Sequence, residues 1–382
     1  MVELVHTIKA HNDRAWEVSS HSFYPLLASA STDKTSNVYL LSSKKKFPLI
    51  TKLEEAHKRS VRSVAFKPPL QGATEVDLPT LASGSFDSTI SIWGIEEPAE
   101  ELEEEALDDK QNQWNLIAKP ENEWNLMAII EGHENEIKSV AWNYQGNLLA
   151  SCSRDKTIWI WETDPETLEE FECISVLSDH EHDIKHLAWH PNRNLLASSS
   201  YDDTIHIYKQ DEEEDDWCNV SILNGHQGTV WCSQFEDPES PGSEKGIIRL
   251  VSASDDLTVK VWSAEAGPDP EQDKGERLPS ALKSSPETMH WQEESTLPAI
   301  HKYPVYSVAW SRKSGRIASA GADGSFVIYK RKGESKEWEI ESTQELSHGV
   351  YELNCITWCV LAEGDECIVT AGDNGEIKIW RV

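Results

Sequence analysis

Residues 148–161 read LLASCSRDKTIWIW, and the same frame occurs seven times along the chain. An aspartate stands at its centre, a hydroxyl side chain lies four residues before it, and an aromatic residue follows six residues after it. The other copies are LASASTDKTSNVYL, LASGSFDSTISIW, LASSSYDDTIHIY, LVSASDDLTVKVW, IASAGADGSFVIY and IVTAGDNGEIKIW, the last with asparagine in place of the aspartate. A repeat of this regularity sets the architecture before any single residue is considered.

Each copy joins short apolar runs rich in valine, isoleucine and aromatic residues, and turn pairs such as D-G, N-G and P-N break the runs. Such patterns are typical of strands and tight turns rather than helices. With a histidine upstream of every copy, the unit resembles the WD40 repeat, and the resemblance implies an all-β, seven-bladed WD40 β-propeller. We expect a single domain over residues 1–382, enlarged by acidic loop insertions at about 96–121 and 264–295.

The two ends of the sequence predict how the ring closes. Only two residues follow Trp380, so the seventh unit lacks an outer strand, whereas residues 2–8 form an apolar–polar strand with no blade of its own. We expect this N-terminal strand to complete blade 7, because an unpaired sheet edge invites association with other chains.

The recurring serine, histidine and aspartate admit two interpretations. A serine nucleophile with a histidine base is a known catalytic arrangement, but it needs one activated serine beside one oxyanion hole, whereas this set recurs in every unit. In WD40 proteins these groups form a buried chain from aspartate to tryptophan, so the resemblance implies structural tetrads and no enzyme. The sets that keep tryptophan in blades 2, 3 and 5 are His57, Ser83, Asp87 and Trp93; His133, Ser151, Asp155 and Trp161; and His226, Ser252, Asp256 and Trp262.

Charge and cysteine content argue against several classes of function. The 35 basic and 67 acidic side chains give a net charge of −32, which repels nucleic acid and anionic membranes. No apolar run is long enough to span a membrane and the first residues lack the layout of a signal peptide, so we expect a cytoplasmic protein. Seven cysteines without a C-x-x-C pair indicate reduced thiols, and we expect no metal and no cofactor.

Positions that the repeat leaves free to vary are the candidates for function. Those on one face of consecutive blades 2–4 include four cations with two aromatic neighbours, namely Arg62, Lys138, Arg154, Lys185, Phe86 and Tyr201. An arginine fork beside aromatic side chains suits a carboxylate with an adjacent apolar anchor. We predict that these six residues, called the basic arc below, form a partner-binding site. The alternative is scattered, solvated charge with little effect on binding.

Several runs of sequence go beyond the general repeat. SFDSTISIW, EGHENEIKSVAW, CSRDKTIWIWE, ECISVL, HDIKHLAWHP, LLASSSYDDTIHIYK, DDWCNVSILNGHQGTVW and HGVYELN together resemble the WD40 subunit of the cytosolic iron–sulfur protein assembly (CIA) machinery in its fungal form. The likeness covers nearly the whole chain outside the two insertions. It places the family's functional arginines on Arg154, within S-R-D-K, and on Arg62, within V-R-S-V.

The resemblance implies a non-catalytic adaptor that docks targeting-complex subunits and apoprotein clients for late insertion of four-iron four-sulfur clusters. Its implied partners are the CIA targeting subunit, a helical-repeat client adaptor, an iron-only-hydrogenase-like cluster carrier and the iron–sulfur apoproteins. We expect a monomeric propeller within a hetero-complex, cytoplasmic and with a nuclear fraction. The alternative is a generic WD40 substrate receptor of a ubiquitin ligase or chromatin complex, in which the acidic surface meets basic tails.

Overall fold

The computed structural model describes residues 2–70, 77–95, 122–211, 216–266, 289–333 and 335–382. These residues form seven four-stranded antiparallel sheets, and each sheet packs against its two neighbours as one blade of a closed ring. The predicted all-β, seven-bladed propeller is therefore confirmed. Within the described ranges, no helix has the length and apolar character needed to cross a bilayer.

The strands follow the repeat in order. The first is β1 (Glu3–Lys9), and blade 1 contains β2 (Ala15–Ser20), β3 (Leu26–Ser31), β4 (Ser36–Leu40) and β5 (Leu49–Leu53). Blade 2 contains β6 (Val61–Phe66), β7 (Thr80–Ser85), β8 (Thr89–Gly94) and β9 (Asn125–Glu131). Blade 3 contains β10 (Ile137–Trp142), β11 (Leu148–Ser153), β12 (Ile158–Glu162) and β13 (Glu172–Leu177). Blade 4 contains β14 (Ile184–Trp189), β15 (Leu195–Ser200), β16 (Thr204–Gln210) and β17 (Trp217–Asn224).

The remaining blades continue the same pattern. Blade 5 contains β18 (Val230–Phe235), β19 (Ile247–Ser254), β20 (Val259–Glu265) and β21 (Gln292–Thr296). Blade 6 contains β22 (Val305–Trp310), β23 (Ile317–Gly321), β24 (Phe326–Arg331) and β25 (Trp338–Gln344). Blade 7 contains β26 (Leu353–Val360), β27 (Glu366–Gly372) and β28 (Glu376–Arg381).

The fourth strand of blade 7 comes from the other end of the chain. Strand β1 pairs antiparallel with β28, so Glu3 lies opposite Arg381 and Lys9 lies opposite Glu376. The strand order of this sheet is β1-β28-β27-β26. The prediction that the N-terminal strand completes blade 7 is confirmed, and the outer edge of β28 is covered.

The hydrophobic core is divided into seven layers, and each layer lies between two neighbouring blades. The second strand of each blade sits inside these layers, and its small alanine and serine residues let the sheets approach closely; all six residues of β11 are buried, for example. Because every layer needs both of its blades, the ring gains its full burial of apolar surface only when it is closed.

The predicted insertion at 264–295 is wrong at both ends. Strand β20 continues to Glu265, and β21 begins at Gln292, so the edges of that range belong to blade 5. The sequence Gln292–Thr296 is polar because an outer strand faces solvent, and this polarity resembled that of a loop. Residues 267–288 and the predicted insertion at 96–121 lie outside the described residues.

A second ring of polar contacts joins the inner strands around the channel. The residue six positions after each repeat histidine, or seven in blade 7, bonds the backbone of the next blade's inner strand. In five blades this side chain accepts a hydrogen bond from a backbone N–H of the next blade. The donor and acceptor pairs are Val64 and Glu17 at 2.9 Å, Val140 and Ser63 at 3.0 Å, Leu187 and Ser139 at 3.3 Å, Ser233 and His186 at 3.5 Å, and Ile356 and Ser307 at 3.1 Å. Thiols donate instead from Cys232 to Val308 O and from Cys355 to Val18 O, both at 3.6 Å. This ring holds neighbouring blades in register.

Candidate functional site

The repeat histidines and aspartates meet at one face of the ring, where the loop into each inner strand touches the turn after the second strand. In blade 3, His133 lies 2.8 Å from Asp155 through Nδ1 and 2.8 Å from Ser151 through Nε2. The indole of Trp161 donates to Ser151 at 3.0 Å, which completes the four-residue chain. Blade 5 repeats it, with His226 at 2.8 Å from Asp256 and 2.7 Å from Ser252, and Trp262 donating to Ser252 at 2.8 Å.

Blade 2 differs from the predicted tetrad at its aromatic end. His57 lies 3.1 Å from Ser83 and 3.4 Å from Asp87, but Trp93 donates to Ser91 at 2.8 Å rather than to Ser83. The hydroxyl of Ser91 lies 2.6 Å from that of Ser83, so it stands between the two predicted partners. The sequence contained a signal for this contact, because Ser91, a short polar residue, stands two positions before Trp93 in this blade.

These groups are arranged for stability rather than reactivity. Burial raises the pKa of Asp155, but hydrogen bonds from His133 and Thr157 more than offset it and hold that pKa at about 2. Ser151 is fully buried, and its hydroxyl is engaged by both His133 and Trp161. A substrate has no access to this oxygen.

The channel opens on the same face, and a ring of side chains surrounds its mouth. The channel volume is about 980 Å³. The side chains at its mouth, called the mouth ring below, are Trp16, Arg62, Lys138, Lys185, Trp231, Tyr306 and Asn354. Each is the second residue of its blade's inner strand, so one residue from each blade reaches the mouth.

Cation–aromatic contacts hold three cations of the basic arc, two of them against aromatic residues of the arc itself. Lys138 Nζ lies 4.1 Å from the Phe86 ring centre, and Lys185 Nζ lies 5.2 Å from the Tyr201 ring centre. The guanidinium carbon of Arg62 lies 5.1 Å from the Trp16 ring centre. Lys138, Lys185 and Arg62 therefore each rest against an aromatic face that orients the cation without neutralising it.

Sequence analysis missed two carboxylates that lie between the cations. Glu136 contacts Lys138 at 2.8 Å and Arg154 at 4.0 Å, and Asp183 contacts Lys185 at 3.4 Å and Arg154 at 3.8 Å. Each carboxylate precedes its lysine by two residues, a spacing that places both on the same side of an extended chain. That spacing was the available signal.

The basic arc nevertheless keeps a positive character. Arg154 has 56% of its side chain exposed, and its contacts with the two carboxylates are long. Burial lowers the pKa of Lys138, and repulsion from Arg62 and Lys185 adds to this effect against the opposing Glu136. Burial likewise lowers the pKa of Lys185. The cations repel one another across the mouth, and an anion placed among them would relieve that repulsion.

The described residues offer no set of three or more histidine, cysteine or carboxylate side chains arranged to hold a metal ion. The seven cysteines are free thiols, and burial raises the pKa of most of them, for example that of Cys232 to about 11. A thiol with so high a pKa is a poor nucleophile at neutral pH.

Comparison with known proteins agrees with the geometry. The model of the WD domain, G-beta repeat, matches residues 2–39, 48–94, 124–162, 171–209, 217–263 and 292–330. A protein of Debaryomyces hansenii named probable cytosolic iron-sulfur protein assembly protein 1 is 64% identical, and the match covers 100% of both chains. Proteins with the same name from Candida albicans and Vanderwaltozyma polyspora are 57% and 44% identical over 100% and 99% of both chains. The chain belongs to the WD40 repeat family and, within it, to the fungal family of cytosolic iron-sulfur protein assembly protein 1.

Proposed function

We propose that this chain is a non-catalytic adaptor of cytosolic iron–sulfur protein assembly and that the basic arc is one of its docking sites. The names of its relatives support a role in cytosolic iron–sulfur protein assembly, and the closed propeller supports a scaffold role. The partners proposed are the CIA targeting subunit, a helical-repeat client adaptor, an iron-only-hydrogenase-like cluster carrier and iron–sulfur apoproteins. We propose a cytoplasmic location with a nuclear fraction.

The observation that carries the proposal is the concentration of exposed or half-buried cations at the mouth of an acidic chain. A net charge of −32 repels anions over most of the surface, whereas Arg62, Lys138 and Lys185 converge at one opening. Trp16, Trp231 and the half-exposed Tyr201 provide apolar surface beside them. A short acidic–aromatic tail that ends in a carboxylate fits this chemistry, since the cations bind the acid and the rings hold the aromatic side chain.

A charge reversal at the most exposed cation tests the proposal. Arg154→Glu replaces a cation that only loosely contacts Glu136 and Asp183, so we expect the propeller to remain folded. Capture of acidic-tailed client proteins should fall by about tenfold or more, because attraction becomes repulsion at a partly desolvated site. The measurements are co-purification of clients and, in cells depleted of the parent chain, the activities of one cytosolic and one mitochondrial iron–sulfur enzyme.

Lys209→Glu is the matched control, since it makes the same charge change at an exposed lysine of strand β16. The control should restore the cytosolic enzyme, whereas Arg154→Glu should not, and the mitochondrial enzyme should be unaffected by either. Equal recovery of clients by the parent and Arg154→Glu would contradict the docking site. A milder Arg154→Gln variant distinguishes lost attraction from the new repulsion between Glu136, Asp183 and the introduced carboxylate.

A further inference from the structure

The other half of the same face exposes apolar side chains that the fold does not use. Two loops carry them: one leads from β21 into β22 and the other from β25 into β26. The exposed residues, called the apolar crescent below, are Tyr303, Leu346, Val350 and Tyr351. Val350 is 90% exposed and Leu346 is 64% exposed, which is unusual for aliphatic side chains.

The two loops form one surface because a single turn of blade 6 lies between them. Ala322 N donates to Pro304 O at 2.9 Å on one side of the turn. On the other side, Ser347 N donates to Gly324 O at 2.9 Å. Tyr303 and Tyr351 therefore flank the same turn, and the crescent spans blades 6 and 7 without a break.

Carboxylates line the channel side of the crescent. Burial first, and then the nearby charges of Glu352, Asp255 and Asp373, raise the pKa of Tyr306 to about 12. Asp255 follows β19 of blade 5, whereas Glu352 precedes β26 and Asp373 follows β27 of blade 7, so the carboxylates come from the two blades on either side of Tyr306.

The partners of these carboxylates are mostly neutral. Asp255 accepts from the Trp231 indole, and Asp373 accepts from Asn354 Nδ2 at 2.9 Å. Asp373 also lies 3.3 Å from Arg14, whose side chain is 53% exposed. In the basic arc, by contrast, each carboxylate contacts a lysine. The crescent side of the mouth therefore keeps a negative field, which Arg14 offsets only at Asp373.

We propose that the apolar crescent and its carboxylates bind a protein segment that carries lysine or arginine beside aliphatic or aromatic side chains. Charge complementarity selects this occupant. A second copy of the chain brings a net charge of −32 and is repelled, and nucleic acid is repelled for the same reason. An apolar contact bordered on one side by carboxylates whose partners are mostly neutral is matched by a cationic and apolar segment.

The crescent is distinct from the basic arc, yet it shares the mouth with it. Lys185 Nζ lies 5.2 Å from the Trp231 ring centre, and Trp231 lies 5.3 Å from Tyr306. The face thus changes from cationic to anionic across two aromatic rings. A partner that presents both an acidic and a basic segment can bind in only one orientation.

Peptide selection on the intact chain tests the proposal. A displayed library of random short peptides is panned on the parent, and the selected peptides are measured singly by fluorescence anisotropy. We expect a population rich in lysine and arginine next to aliphatic or aromatic residues. The affinity of these cationic peptides should fall about tenfold, relative to the parent, for the triple variant Asp255→Asn/Glu352→Gln/Asp373→Asn. A separate double variant, Tyr303→Ser/Val350→Ser, should also weaken them about tenfold. Acidic peptides from the same selection report on the basic arc and should keep their affinity for both variants.

The matched control is Glu169→Gln/Glu170→Gln/Glu172→Gln, which removes the same number of exposed carboxylates from the rim of blade 3. Cationic peptides that weaken equally on this control would show only general attraction to an acidic chain, and the proposal would be wrong. It would also be wrong if no cationic population were selected, or if sedimentation showed a dimer that the crescent variants dissociate. The last result would assign the surface to a second copy. Because the acidic peptides are scored separately, failure of the crescent is distinguishable from failure of the basic arc.

Discussion

The tetrad histidine precedes the mouth-ring residue by five positions in blades 1–6 and by six in blade 7, but the two regions repeat very differently. Every blade places a histidine against an acidic or amide side chain, at 2.7 to 3.4 Å, and against a serine or threonine. The mouth ring instead presents tryptophan, arginine, lysine, lysine, tryptophan, tyrosine and asparagine in successive blades. The loop before each inner strand thus carries a constant group, and the strand itself carries a variable one.

The difference teaches which positions the fold requires. A buried polar network stabilises only when all its members are paired, so each blade needs a histidine bonded both to a turn carboxylate or amide and to a hydroxyl. The mouth ring lines an open channel, where water can bond the polar atoms that reach it, so the fold leaves the choice of residue free. Function is therefore to be sought where the seven units disagree.

Removing one member of each region should separate stability from binding. His133→Ala leaves the buried Asp155 carboxylate and the Ser151 hydroxyl without their shared partner. We expect a loss of about 2–4 kcal/mol in the free energy of unfolding. Lys138→Ala should change it by less than about 1 kcal/mol, because Arg59 Nη2 still lies 2.8 Å from Glu136. Urea unfolding at pH 7 gives both values.

The same pair sharpens the comparison when binding is measured. Lys138→Ala should weaken acidic peptides at the mouth, whereas His133→Ala should leave the affinity of its folded fraction unchanged. Similar unfolding midpoints for the two variants would show that the tetrad does not hold the blade. A large loss of stability in Lys138→Ala alone would show that the mouth ring is structural.

The sequence predicted the features that recur in every blade, but it did not predict the contacts that join one blade to the next. Blade number and ring closure depend on a frame that recurs seven times, so each copy supports the others. The carboxylates Glu136 and Asp183 were overlooked because each stands just before an inner strand, and its role depends on a lysine two residues later within that strand. The inter-blade bonds, such as Glu17 to Val64, join residues far apart in sequence, and only the assembled ring brings them together. Ser91 was missed because it occupies a position that other blades fill with unrelated side chains.

Blade 7 breaks the tetrad rule, which makes its stability depend on pH. His348 contacts Asn374 at 2.9 Å, and burial lowers the pKa of His348 from 6.5 to about 4. A histidine with a lowered folded pKa contributes full stability above pH 6.5, and this contribution is lost as pH falls toward 4 because the unfolded chain takes up the proton first. Asn374→Asp supplies a carboxylate that stabilises the protonated ring. The variant should therefore lose about 2 kcal/mol less than the parent between pH 7 and pH 5.

The readout is the difference between variant and parent in urea unfolding at pH 7, 6 and 5. The difference between the two chains is needed because burial also lowers the pKa values of four other histidines, which are His21, His186, His190 and His206. These histidines likewise make both chains less stable as pH falls. Asn374 donates to Glu376 at 2.8 Å, so the new carboxylate should make the variant less stable than the parent at pH 7. Parallel curves of stability against pH for the two chains would contradict the prediction. They would show that a carboxylate at position 374 does not change the uptake of a proton by His348.

The smallest expected effect concerns the turn that follows each tetrad aspartate. Leu257 adopts a φ of 68° there, and Gly324 occupies the equivalent turn of blade 6 with the same φ of 68°. A leucine in the left-handed region is strained, so Leu257→Gly should stabilise the chain by about 0.5 kcal/mol once the extra freedom of glycine in the unfolded state is subtracted. Gly324→Leu should do the reverse and by more, because a Cβ at that position would lie 2.9 Å from Tyr351 O. If the unfolding temperatures of both variants shifted in the same direction, the turns of blades 5 and 6 would not be equivalent. The regularity of the tetrad region would then not extend beyond the aspartate.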